Sequence, residues 1–367
     1  MKFKKNLTDW MFCVAAWSLA SYVFFIAGYF YLAVLQNLEG VGQILRSNEI
    51  FIYMNSGMQF IEIVLFGIVF GSMFFLIHWI IKRTALKYIP FGRIILIQTF
   101  SYIFGFFLSF LIIFLVLTFF EITPLDERHE LELLFLHRPF FITMAVFLTF
   151  FSLLINFILE VREKIGPTNL WHMVIGKYHH PIVEERVFLF LDLKESTVYA
   201  EKLGHIKYSK LIQKCFYLLN DIVYKHRAQV YQYVGDEVVL TWPMKEKNVV
   251  NHSVALYYDY KKLLESKEKM FLDRFGFVPL FKAGINEGKV TAAEVGNIKR
   301  EIAYHGDVLN TGSRIQDKCS ELGKNLLVSE IIANEIRNDK HFTTTSMGKV
   351  NLKGKQNAVN IFAIEQA

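Results

Sequence analysis

The sequence predicts a chain in two parts, an α-helical membrane domain of four transmembrane helices followed by an α+β domain. Three observations predict it. The 367 residues are 53% hydrophobic and 16% aromatic with a positive mean hydropathy, too apolar for a wholly soluble chain. The apolar excess is concentrated in the first 160 residues. Beyond them, short strand-like runs alternate with amphipathic helical ones, the order of a layered α+β structure.

Four apolar runs, at about 10–36, 57–81, 94–120 and 139–160, are long enough to cross a hydrocarbon core. Lys2, Lys4 and Lys5 precede the first run, Lys82, Arg83, Lys87 and Arg93 separate the second from the third, and Arg162 and Lys164 follow the fourth. The other two connections carry Glu39 and Glu49 with only Arg46, and a mostly acidic stretch over 121–132. By the positive-inside rule both termini are cytoplasmic, which for a bacterial cell means a multi-pass protein of the inner membrane. The first run is about 27 residues long and carries bulky aromatics throughout, unlike a cleaved signal peptide. As buried helices of a soluble bundle, the runs would leave the charge asymmetry accidental. As a transporter, they would lack acidic or basic residues at depth.

Cys13, Cys215 and Cys319 show no metal or redox spacing and are read as reduced thiols, and the eleven histidines form no ligand pattern. A net charge of +6 is explained by membrane flanks and an anionic substrate, so nucleic acid is not an expected partner.

Residues 1–162 are thus the membrane domain, 163–184 a coupling linker broken at Gly166-Pro167 and again at 176–181, and 185–367 the α+β domain. A passive tether explains the linker equally well. The last part reads as strand 185–193, helices 195–226, hairpin 228–242, helix 247–274, hairpin 278–295, helix 307–321, strand 324–328, helix 329–337 and two closing strands.

Two strand-like runs each deliver an aspartate at a turn. Asp192 ends the first and Asp236 sits at the tip of a Gly-Asp hairpin, and two such carboxylates suit a two-metal site. Alone, each reads as a turn cap. Downstream, Asn310 and Arg314 are four apart and share a helix face; alone, they read as a turn residue and a solvated helix residue.

These three segments, in this order, resemble the catalytic domain of class III nucleotidyl cyclases, from about Glu184 to Ile364. The membrane-anchored bacterial members are similar to the whole chain. The resemblance implies a ferredoxin-like βαββαβ fold with extra strands, a head-to-tail homodimer with shared active sites, and Mg²⁺ or Mn²⁺ at two ions per site. Asp192 and Asp236 match the metal-binding aspartates, and Leu193 the residue whose backbone carbonyl also touches metal. Ser196 and Thr197 open the helix whose free N–H groups would meet the triphosphate, although Glu195 stands where the family often has glycine and the two hydroxyls also suit a plain cap. Asn310 matches the residue that orients the ribose, and Arg314 the one that holds phosphate. Lys353 matches a lysine that reaches the phosphates, with Lys355 as fallback.

At the base-recognition positions the chain has Gln232 and Ala303, where many adenylyl members have Lys and Asp or Thr, and guanylyl members Glu and Cys or Ser. The resemblance implies an adenylate cyclase that turns ATP into 3′,5′-cyclic AMP and pyrophosphate. Its membrane half would meet lipid and receive a ligand or a membrane-protein regulator. A cyclase for GTP or a pyrimidine triphosphate, and a catalytically silent nucleotide-binding sensor, stay open as alternatives.

Overall fold

The computed structural model describes residues 2–36, 58–83, 90–119, 138–337, 339–351 and 358–367. They fall into two compact units, Met1–Leu170 and Trp171–Ala367.

Unit 1 is built of α1 (Lys2–Gln36), α2 (Met58–Arg83), α3 (Phe91–Phe119) and α4 (Arg138–Ile165). In such apolar stretches a helix satisfies every backbone group internally. A Cβ on Gly71 would lie 2.5 Å from Val14 Cα, and one on Gly67 would meet Ser18, so the Gly-x-x-x-Gly spacing lets α1 and α2 touch backbone to backbone. Phe74 of α2 stacks on Tyr102 of α3 at 3.6 Å between ring centroids, and Gln98 Nε2 lies 3.2 Å from His78 Nδ1. Arg162 of α4 pairs with Asp9 of α1 at 3.1 Å, while Phe147 meets Phe24 at the other end. These pairings run in opposite senses along each pair of helices, so neighbours alternate up and down.

Three of these helices, not four, are long and apolar enough to cross a membrane among the described residues: Leu7–Phe30, Ile63–Ile81 and Ile142–Ile165. In α3 the qualifying apolar stretch, Gly92–Leu108, is shorter than the ~20 residues a span requires. Three of the four expected spans are met among these residues; the remaining one, 94–120, falls in α3, a 29-residue helix that continues past Leu108.

A short helix, α5 (Pro167–Val174), precedes β1 (Ile182–Leu193). Then come α6 (Ser196–Lys225), β2 (Gln229–Val234), β3 (Glu237–Pro243), α7 (Val249–Glu265), α8 (Glu268–Phe275), β4 (Phe281–Val295), β5 (Glu301–His305), α9 (Asp307–Glu321), β6 (Leu326–Ser329), α10 (Glu330–Ile336), β7 (Phe342–Val350) and β8 (Val359–Gln366). The sheet order is β2-β3-β1-β4-β6-β8-β7, with β5 paired to β4. Its first four strands and the helices between them follow a βαββαβ path. The sheet is mixed, because β4 and β6 pair in parallel.

β1 is buried on both faces, which is why it reads as a continuous apolar run. Val187, Leu189, Leu191 and Leu193 face a core completed by Leu211, Cys215 and Leu219 of α6 and by Val254 and Tyr257 of α7. Phe188 and Phe190 face Val239 and Val290, with Val308 and Leu309 of α9 above them. A Cβ on Gly284 would lie 2.5 Å from Gln316 N, and one on Gly312 would lie 2.6 Å from the Phe190 ring. Glycine at these two positions lets α9 lie directly on the sheet.

That close approach explains one departure from the sequence reading. The glycines in 278–295 suggest a hairpin, whereas the segment is the single strand β4, and its hairpin partner is β5. The predicted helix 247–274 is two helices, and α6 is kinked at Gly204.

Arg186, 1% exposed, sits beneath the sheet's edge strands. It donates to Glu184 at 2.9 Å, to Thr241 at 3.0 Å and to Gln229 at 2.5 Å. Its guanidinium also lies over the Tyr304 ring. Glu184 in turn accepts from Lys177 and Tyr178. Every part of the buried charge is thus partnered, as a desolvated guanidinium requires.

Candidate active site

Asp192 is the penultimate residue of β1, and its Cα neighbours are Glu237 on β3 and Lys282 on β4. Lys282 Nζ stands 3.3 Å from Asp192 Oδ2, and Gln316 Nε2 of α9 donates to the same oxygen at 3.0 Å. Burial, and then the charge of Asp236, push the Asp192 carboxyl above its ordinary range, against the pull of Lys282 and Gln316. Asp236 occupies the β2–β3 turn beside Gly235, whose φ of +62° suits glycine. Its Oδ2 is buried and has no hydrogen-bond partner.

Two further groups face the pair. Glu237 is pushed up to about 7 by burial first and then by Asp192, Asp317 and Asp236. The hydroxyl of Tyr208, on α6, interacts with Ser196 and Asp236 and is pushed up to about 12 by burial and by the Asp236 charge. The site therefore carries an excess of negative charge, with one ammonium against it and one carboxylate oxygen unfilled. Hard oxygen donors of this kind fit Mg²⁺ or Mn²⁺. No group of three or more His, Cys, Asp or Glu side chains is placed to hold a metal among the described residues, so bound phosphate, water or backbone would have to complete the coordination.

Leu193 is the last residue of β1 and its side chain is buried. Next to it Lys194 N donates to Leu280 O. Glu195 has φ 55° and ψ 30°, a left-handed conformation that explains why glycine is at home in this turn. Ser196 and Thr197 begin α6, whose N-cap residue Glu195 makes no side-chain cap bond.

Gln232 lies on β2 at a register shift next to Val230 and is exposed. Ala303 lies on β5 opposite Ala293. Contact between these strands comes from their neighbours, since Tyr304 N donates to the Tyr231 hydroxyl at 3.4 Å.

Asn310 and Arg314 lie on α9, Asn310 exposed and Arg314 half-buried. Within one chain α9 touches Asp192 through Gln316, six residues and about 9 Å of helix beyond Asn310. The structure thus brings Asp192 and Asp236 together, while Asn310 lies further back along α9, with Arg314 between it and Gln316. Lys353 and Lys355 lie outside the described residues.

Sequence reasoning missed Lys282, Gln316, Glu237 and Tyr208. Only Glu237, adjacent to Asp236, carried a signal, because the others reach the site through cross-strand pairing and helix packing.

Residues 180–366 match the family described as the adenylate and guanylate cyclase catalytic domain, and the chain belongs to that family. It is 30% identical over 210 residues to adenylate cyclase 2 of Rhizobium meliloti (strain 1021), covering 57% of this chain and 58% of that protein. It is 27% identical to receptor-type guanylate cyclase gcy-4 of Caenorhabditis briggsae, covering 45% of this chain and 15% of that one. The chain therefore spans less than two thirds of these relatives. A crystal structure of the adenylyl cyclase CyaB from P. aeruginosa is similar over 51% of this chain and 97% of its own, at 17% identity and a TM-score of 0.46.

Proposed function

We propose that the protein is a membrane-bound adenylate cyclase that converts ATP to 3′,5′-cyclic AMP and pyrophosphate in a head-to-tail homodimer. The observation that carries this reading is the pairing of Asp192 with Asp236, whose buried Oδ2 has no partner, in a chain of this family. Residues 1–162 form the membrane domain with four crossings, 163–184 the linker and 185–367 the catalytic domain. Both termini face the cytoplasm, and lipid with a ligand or membrane-protein regulator acts on the first part.

Asp192, Asp236 and the Leu193 carbonyl would hold two Mg²⁺ or Mn²⁺ ions, which supply charge neutralisation at the triphosphate and activation of the ribose 3′-hydroxyl. The free N–H groups at Ser196 and Thr197 meet phosphate oxygens. From the partner protomer, the Asn310 side chain orients the ribose and the Arg314 guanidinium takes up charge spreading over the α-phosphate as the 3′-oxygen attacks in line. Lys353 reaches the leaving phosphates. Two-fold symmetry makes two such sites.

A second reading is favoured by one observation. Ala303 presents only backbone to a base, and Gln232 presents an amide that both donates and accepts, so GTP or a pyrimidine triphosphate remains a competing substrate. Incubating the full-length protein with ATP, GTP, CTP and UTP, with Mn²⁺ or Mg²⁺, and weighing the products by mass spectrometry decides between them. Cyclic AMP as the main product supports the first reading, and another cyclic nucleotide the second. Nucleotide bound without turnover would leave a silent sensor.

A further inference from the structure

Unit 1 holds a layer of buried polar side chains in a bundle that is otherwise apolar. Gln98 and Asn156 are 0% exposed, Ser152 1%, Trp17 2% and Tyr102 3%. Each has a buried polar atom without a hydrogen-bond partner: Gln98 Oε1, Asn156 Oδ1, Ser152 Oγ, Trp17 Nε1 and the Tyr102 hydroxyl. Buried polar atoms are nearly always satisfied, because an unmade bond costs about 1–3 kcal/mol each. In a membrane-spanning bundle such groups mark a functional site by default.

The helix register brings these residues to two adjacent turns of the bundle. Asn156 Nδ2 donates to Thr99 Oγ1 at 3.3 Å, which joins α4 to α3. One turn along α3 is Tyr102, and one turn back along the antiparallel α4 is Ser152, so both lie beyond that bond on the same side. Trp17 packs on Phe74 at 5.7 Å, and Phe74 stacks on Tyr102, which fixes α1 and α2 at the same height. Gln98 lies one turn below Tyr102, with its amide nitrogen turned to His78 and its oxygen left over. Glu160, 6% exposed, is one turn below Asn156 and within electrostatic reach of the Tyr102 hydroxyl.

Both amides use their nitrogens elsewhere, so what remains to be filled is chiefly oxygen: two amide carbonyls and two hydroxyls, next to a buried carboxylate. Oxygen-only donor sets favour a hard cation. We propose that Gln98, Tyr102, Ser152 and Asn156, with Glu160 below them, form a binding site for a small monovalent cation such as Na⁺ inside the membrane unit. The indole N–H of Trp17, which cannot ligate a cation, faces a water in the ion's shell. The site uses only the packing of unit 1, so it stands or falls separately from the cyclase reading.

The test is thermal unfolding of the full-length protein in lipid nanodiscs, in NaCl, KCl or choline chloride at equal ionic strength. Na⁺ or K⁺ is expected to raise the Tm saturably by about 2–4 °C over choline. That rise should vanish in Asn156→Leu and in Gln98→Met, with Ser152→Ala as a third variant if either fails to fold. Equal Tm values in all three salts, or an undiminished rise in every folded variant, would overturn the proposal in favour of a layer satisfied by ordered water alone.

Discussion

The ammonium of Lys282 stands 3.3 Å from the carboxylate of Asp192, across one rung of the sheet. It stands where a cation is wanted, so it competes for Asp192 with any metal bound there. Lys282→Met should tighten Mn²⁺ binding by about tenfold, the effect of removing roughly 1.4 kcal/mol of competing charge interaction. Calorimetric titration of Mn²⁺ checks this without reference to turnover, and weaker binding in the variant would show that Lys282 supports the site instead.

Burial, and then repulsion by Asp236, raises the pKa of Asp192. Asp236→Asn removes that repulsion. It should raise the Tm of the metal-free protein while lowering turnover by at least about 10²-fold, measured by unfolding in a chelator and by cyclic nucleotide production.

If each site is shared, two inactive variants should restore one another. Asp236→Ala mixed one to one with Arg314→Ala would form heterodimers in half of the pairs, each with one intact site. About a quarter of the native activity is expected on statistical pairing, and no recovery would place Arg314 in its own chain's site.

Gly284 and Gly312 hold α9 against the sheet, and through α9 they place Gln316 on Asp192. Gly284→Ala puts a carbon 2.5 Å from the Gln316 backbone nitrogen, so the helix must shift. A loss of about 1–3 kcal/mol is expected, readable by denaturant unfolding, together with reduced turnover.

His226 contributes to the pH dependence of stability. It is 5% exposed, and burial lowers its pKa from the usual 6.5 although Asp259 pulls the other way. The unfolded chain therefore takes up the proton first, so stability is full above about pH 6.5 and is lost as pH falls through the folded value. The difference in unfolding midpoint between the native protein and His226→Gln should therefore change between pH 7.5 and 5.5, on top of the opposite drift that Glu237 and Glu287, raised to about 7, give to both proteins.

The hairpin that carries Asp236 was legible because Gly235-Asp236 between two apolar runs has one local solution. β1 was legible because burial on both faces leaves an uninterrupted apolar run. β4 was not, since Gly284 looks like a turn residue until α9 lies on it. Lys282 and Gln316 were invisible for the same reason: their partner Asp192 is 90 and 124 positions away, and no local pattern encodes a contact over that separation.

The partners of Arg186 also constrain the order of assembly. A guanidinium can leave water only when Glu184, Thr241 and Gln229 are all present, and these come from three different strands. The β2–β3 ribbon must therefore be in place alongside β1 before that charge is enclosed. A nascent chain that stops short of Thr241 keeps Arg186 wet and this edge of the sheet open, so closure of the edge waits on synthesis of the same hairpin that carries Asp236.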